Sequence, residues 1–207
     1  DILLTIVPHD CTHSQFETNL APSILSGVQH VLAIERAGPA SDGCCYTMSG
    51  RNISADCAPL DLLFDRQRLN EFGCLGSSGI GDGGNEIGMG NVRQNVEAFI
   101  NNGDQIACTI ETDHLITAAI SNWGGYALAA SVAVLSQPAV SHTAEDLLEV
   151  GPSPTFDEEV MRAIVAAGAR DGITARNEMS VDGFPHEVHK NKIKELCSIA
   201  REVQKYL

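Results

Sequence analysis

Basic residues are scarce: 13 Lys and Arg stand against 27 Asp and Glu, a formal charge of −14. Nucleic-acid binding depends on clustered Lys and Arg that neutralise phosphates, so no nucleic-acid partner is expected. The same field repels anions. Any anionic ligand therefore needs a local Arg, a bound metal or a helix N-terminus, whereas divalent cations are attracted. Long apolar runs are absent as well. Each is broken by Ser, Asn, Gly or charge well short of the ~20 residues a membrane span needs, so no membrane partner is expected. The seven cysteines, Cys11, Cys44, Cys45, Cys57, Cys74, Cys108 and Cys197, contain no C-x-x-C pair. That spacing excludes a zinc ribbon or a thioredoxin-type motif, and the odd count reads as free thiols in a reducing compartment. No G-x-S-x-G elbow occurs, which argues against an esterase. Nor does a basic or apolar leader precede the first strand-like run after Asp1, so the chain reads as a fragment or a processed product.

What is present suits a buried core: 43% of the 207 residues are hydrophobic and 19% charged. Ile2–Val7 and His30–Ile34 read as buried strands, with a helix around Pro22–Gln29 between them. Pro59–Phe72 and Asn91–Ile100 have helical spacing, Ile106–Ile110 and Leu115–Ile120 look like strands, and Trp123–Leu135 is an Ala-rich helix. Phe156–Gly168 is an amphipathic helix opened by Thr155 or Asp157 and closed by Gly168. Gly172–Ala175 reads as a last short strand and Glu187–Leu207 as a long final helix. Pro138–Pro154 is the one candidate hinge, read as a surface excursion. This alternation predicts an α/β fold: a three-layer, Rossmann-like arrangement with a mainly parallel sheet flanked by helices, in a single domain over 1–207.

Chemistry concentrates at Gly79–Gly90 (GIGDGGNEIGMG), within a stretch, Gly73–Gly90, that holds eight of the chain's 19 glycines. Gly79, Gly81 and Gly84 satisfy G-x-G-x-x-G. That fingerprint needs a strand before it and a helix opening from it, and Cys74–Ser78 is a poor strand. Asp82 would also set a carboxylate among amides meant for a pyrophosphate. The alternative uses these features: glycines allow close backbone approach, while Asp82, Glu86 and Asn85 offer oxygen ligands that suit Mg²⁺, Mn²⁺ or Ca²⁺. A flexible loop with solvated acids is the bland alternative.

The run GIGDGGNEIGMGNV resembles the signature of the D-glutamate cyclase family, in its C-terminal domain. AIERAG at Ala33–Gly38, YTMSGRNIS at Tyr46–Ser54, SNWGGYALAA at Ser121–Ala130 and AAGARDGITA at Ala166–Ala175 fit it in the same order. The resemblance implies a lyase that closes D-glutamate to 5-oxo-D-proline with loss of water, in the mitochondrial matrix, with an N-terminal region of the full-length protein absent here. Small-molecule binding is implied, and self-association into a homo-oligomer is left open.

That reaction must fold one substrate into a near-attack conformer, remove a proton from its ammonium group and expel a carboxylate oxygen as water. A divalent metal would polarise the γ-carboxylate. Asp82 and Glu86 are the expected metal ligands or acid/base groups, with Glu35 as a further base or ligand and Asp113 as a third metal ligand. Arg36 is the expected clamp for the α-carboxylate. Gly83, Gly84, Asn85, Asn122 and Trp123 would line the substrate. Each has a plainer reading: Glu35 and Arg36 as surface charges, Asp113 as a turn or cap, Trp123 as core. His186 and His189 lie three apart rather than the four of a zincin helix, so they read as a helix start. His9 and His13 around Cys11 read as an ordinary loop. A non-catalytic metabolite- or cation-binding regulatory module is the competing reading, with a nucleotide-dependent enzyme behind it.

Overall fold

The computed structural model describes residues 4–8, 10–135 and 153–206. His9, the start of the run at Ile2–Val7, nearly all of Pro138–Pro154 and Leu207 lie outside the described residues. The chain divides into two compact units, Asp1–Ser121 and Asn122–Leu207.

In the first unit, α1 (His13–Gln15), a π-helical turn (Phe16–Leu20) and α2 (Ala21–Leu25) lead into β1 (His30–Ile34). Thr12 and Gln15 form a capping box that starts this helical run. Two 3-10 turns (Ser54–Asp56 and Leu60–Phe64) precede α3 (Arg66–Glu71) and β2 (Gly76–Gly81). A further 3-10 turn (Met89–Val92), α4 (Arg93–Phe99) and α5 (Gly103–Ile106) lead to β3 (His114–Thr117). The strands form a sheet of order β1-β2-β3, parallel throughout, with Ala33 opposite Gly79 and Gly79 opposite Leu115. This is an α/β fold with a parallel sheet. Val31 and Ala33 face a core with Leu25, Phe64, Leu69, Cys74 and Ile87, while Leu32 and Ile34 on the opposite face of β1 are exposed.

Several expectations give way here. Cys74–Ser78 is no eroded strand: it runs into β2, the central strand, buried at every position. It lacks β-branched residues because the loop after it folds back over it. A Cβ on Gly79 would lie 2.4 Å from the Ile87 carbonyl oxygen. Leu4–Pro8 is irregular. The helix expected over Pro59–Phe72 breaks at Asp65, whose carboxylate caps α3 by accepting from the Arg68 amide at 2.8 Å. Ile106–Ile110 is not a strand. Its amides and carbonyls bond to loops instead, Cys108 N–H to Gly84 O and Thr109 N–H to Pro39 O, while Ile110 O accepts from Gly88 and Gly90.

The second unit contains α6 (Ser121–Leu135), α7 (Pro154–Ala166), a two-stranded antiparallel pair β4 (Ser180–Val181) and β5 (Phe184–Pro185), and α8 (His186–Gln204). Ser153, not Thr155 or Asp157, caps α7, with Pro154 in its first turn. Gly172–Ala175 is a turn wound on Asp171, whose carboxylate accepts from the Ile173 and Thr174 amides at 2.8 Å and from Ser180 and Gly183. No helix among the described residues is long and apolar enough to cross a membrane.

Candidate functional site

The parallel sheet delivers its chemistry at its carboxyl edge, where open α/β sheets bind ligands. β1 ends into Glu35, a non-glycine residue in the left-handed region at φ 51°, whose amide still donates to Ile80 O. Such a backbone is strained and needs surrounding structure to hold it. β2 ends into Asp82. One oxygen, Oδ2, accepts from the backbone amide of Ser121 at 2.7 Å and from its hydroxyl at 2.9 Å. Glu35 and Asp82 each bring a carboxylate oxygen within 4.8 Å of the other. At that spacing two carboxylates repel unless a proton or a cation lies between them. Beside Asp82 opens a cavity of about 230 Å³ lined by Gly83, Met89, Asn95, Phe99 and Thr117.

Glu86 has a different place. It is buried, and its carboxylate turns back onto its own loop. Oε1 accepts from the Gly83 amide at 2.8 Å and the Asp82 amide at 3.2 Å, and Oε2 accepts from Gly84 at 2.6 Å. Gly84 can present its amide this way because its φ of 119° is open to glycine. The amides that a pyrophosphate would need are thus occupied by a protein carboxylate, and the dinucleotide reading loses its cradle. Asn85 is buried as well and spends its side-chain amide on Tyr46 O at 2.6 Å.

Two expected site residues stand elsewhere. Asp113 precedes β3 and accepts from the Ser77 amide and hydroxyl near the start of β2, where Arg66 also pairs with it. At ~3.3 Å per strand residue, that is roughly 16 Å along β2 from Asp82. The Arg66 guanidinium chiefly, with help from Ser77, draws the Asp113 carboxyl down to about 2. Arg36 follows Glu35, but its guanidinium turns to the 3-10 segment and donates to Ala58 O at 2.7 Å. It lines a different cavity from Asp82.

In the second unit Asn122 is exposed, and Trp123 belongs to a network the sequence reading missed. The Trp123 indole donates to His189 Nδ1 at 2.9 Å, which fixes the His189 proton on Nε2. That nitrogen is 3.2 Å from Asp157 Oδ1, the Tyr126 hydroxyl donates to the same oxygen, and His186 Nε2 is 3.0 Å from Oδ2. His189 is fully buried. Burial pushes the Asp157 carboxyl up, but the bonds from His189, Tyr126 and His186 outweigh it and hold it below the ordinary range. The three-residue spacing of His186 and His189 places them one turn apart on α8, which suits a shared carboxylate. That was the legible signal; the partner Asp157, 29 residues before His186, was not.

The parallel sheet, with two acids at its carboxyl edge, defines an α/β protein. The D-glutamate cyclase-like C-terminal family matches residues 5–197, and the chain belongs to that family. Among curated proteins it is similar to human mitochondrial D-glutamate cyclase, 38% identical over 185 residues. That match takes in 82% of this chain but only 30% of the relative's length.

Proposed function

We propose that this chain carries the active site of a lyase that closes D-glutamate to 5-oxo-D-proline and water. The observation that carries the reading is the approach of Glu35 and Asp82 to within 4.8 Å at the carboxyl edge of the sheet, in a member of the D-glutamate cyclase-like family. Glu35 accepts the proton that the α-ammonium must lose before nitrogen can attack. Nitrogen sheds its second proton as the amide forms. Asp82, oriented through Ser121, relays both protons, the one held by Glu35 and this second one, to a single γ-carboxylate oxygen, which departs as water as the C–O bond breaks. Gly83 and Gly84 give their amides to Glu86 and pack against Met48 and Val96, so they shape the loop in this reading.

The substrate carries two carboxylates into a field that is already negative, and the two acids add to it. Oxygen donors at this spacing fit a hard divalent cation, Mn²⁺, Mg²⁺ or Ca²⁺, with Glu35 and Asp82 as the residues that would hold it. Such an ion, when bound, polarises the γ-carboxylate and offsets charge on its oxygens. Glu86, with three amide donors, serves the loop's shape in this reading. The sheet would be the centre of a three-layer, Rossmann-like arrangement, and the protein would act in the mitochondrial matrix as its human relative's name indicates.

Purified protein incubated with D-glutamate and Mn²⁺ should yield 5-oxoproline, followed by chromatography. A non-catalytic metabolite- or cation-binding module is the second reading, which the same pair of acids would serve. In that case D-glutamate or Mn²⁺ raises the melting temperature and no product forms.

A further inference from the structure

The Arg36 cavity stands apart from the acid pair and has its own chemistry. It measures about 420 Å³, within the range of small-ligand pockets, and is lined by Arg36, Asp56, Thr5, Val7, Ile24, Ala58, Leu60 and Leu63. The guanidinium is pinned on one side by its bond to Ala58 O. Its Nε–H is buried and has no hydrogen-bond partner among the described residues. A donor out of reach of solvent is also out of reach of a cavity ligand, which would meet the guanidinium at its terminal nitrogens. Asp61 feels the Arg36 charge but forms no ion pair with it among the described residues, and burial holds its carboxyl above the ordinary range.

Asp56 supplies the opposite sign at the same cavity. It ends the 3-10 turn Ser54–Asp56, is exposed, and its carboxylate makes no bond among the described residues, not even to Arg36. A cation and an anion that share a cavity without closing on each other match a ligand carrying both charges. Between them the walls are aliphatic: Val7, Ile24, Leu60 and Leu63. A second carboxylate laid against those walls would lose its water without gaining a partner.

We propose that this cavity is a binding site for a zwitterionic α-amino acid with an aliphatic side chain, separate from the acid pair. Arg36 takes the carboxylate, Asp56 the ammonium group, and the apolar wall the side chain. The assignment replaces the expectation that Arg36 clamps the α-carboxylate of D-glutamate, and it holds whether or not the chain turns over D-glutamate.

Titration calorimetry tests it with L-valine, D-valine, butyrate and D-glutamate as probes. At least one valine enantiomer should bind with Kd below about 10 mM. Arg36→Gln should weaken that binding by at least ~10-fold, since a charge-assisted bidentate contact is lost. Asp56→Asn should weaken valine while leaving butyrate unchanged, because butyrate has no ammonium group. It should also leave the acid-pair chemistry unaltered. Should Arg36→Gln fail to fold, Arg36→Lys and the Asp56→Asn split between valine and butyrate still decide the matter. Three results overturn the proposal: no binding of either valine, equal loss of valine and butyrate in Asp56→Asn, or displacement of valine by D-glutamate. The last would return Arg36 to the lyase substrate.

Discussion

The two units place their polar chemistry by opposite means. In Asp1–Ser121 the backbone does the positioning. β2 is all Gly and Ser but for Ile80, a loop lies directly on it, and Glu35 and Asp82 follow directly where strands end. In Asn122–Leu207 side chains on three helices do it, converging on one carboxylate, Asp157. A backbone-built site tolerates no added atoms but keeps its acids at the surface of a cavity. A side-chain network buries its acid and satisfies it completely, which suits holding helices together better than meeting a ligand. The contrast says where to look for turnover and where for stability.

The sharpest break in that contrast is Asp82→Asn. Asparagine keeps an acceptor for Ser121 but gives up the charge and the proton, so 5-oxoproline formation should fall by about 10²–10⁴-fold with the fold retained. Circular dichroism and a turnover assay on the same sample check both halves. An unaltered rate removes Asp82 from the mechanism. Next comes Gly79→Ala, whose Cβ meets a carbonyl oxygen at 2.4 Å with no flexible side chain to yield. A loss of about 3 kcal/mol in urea unfolding is expected, the overpacking cost at a site that cannot relax. In the second unit, His189→Ala strands the Trp123 indole and removes a donor from Asp157. It should cost about 2 kcal/mol, read as faster amide exchange in α7 and α8, with D-glutamate chemistry little changed. A large fall in turnover at unchanged stability would undo the division of roles.

Acid sharpens the comparison further. The Asp157 carboxyl is held below its unfolded value, so its contribution is fully present above about pH 4 and fades as pH falls through the folded value. Asp171, also in the second unit, is lowered too; burial opposes this, and bonds from Ser180, Thr174, Gly183 and Ile173 prevail. Amide protection in the second unit, taken relative to the intrinsic exchange rate at each pH, should therefore fall as pH drops below about 4. The smallest effect concerns thiols. Burial and the neighbouring Cys57 push the Cys45 thiol up to about 12, so iodoacetamide at neutral pH should label Cys45 more slowly than Cys11.

Periodic segments were readable from the sequence. His30–Ile34 is β1 to the residue, and Trp123–Leu135 and Glu187–Leu207 fall within two or three residues of α6 and α8. Spacing and apolar faces survive translation into structure because they reflect one element's own geometry. β2 was illegible for the opposite reason: its composition answers to a loop that closes over it, a tertiary demand that makes a strand look like a turn. The place of Asp82 and Glu35 past the strand ends was legible because acids there leave a mark in sequence order; their approach to one another was not. Glu86 was misjudged by the same logic, since its neighbours in sequence are also its partners in space, and only the structure tells a ligand-facing acid from one folded inward. Arg36 and Asp113 needed side-chain direction, which sequence order does not carry.

Glu86 has one more consequence. By supplying its own counter-charge to the amides of residues 82–84, the loop comes with its mould already filled, and no visiting molecule is required to set its curve. Crystals grown with and without D-glutamate should superimpose across this bend. Replacing Glu86 with Ala would leave a hollow lined by three unpaired amides, turning a rigid support into a trap for phosphate or sulfate.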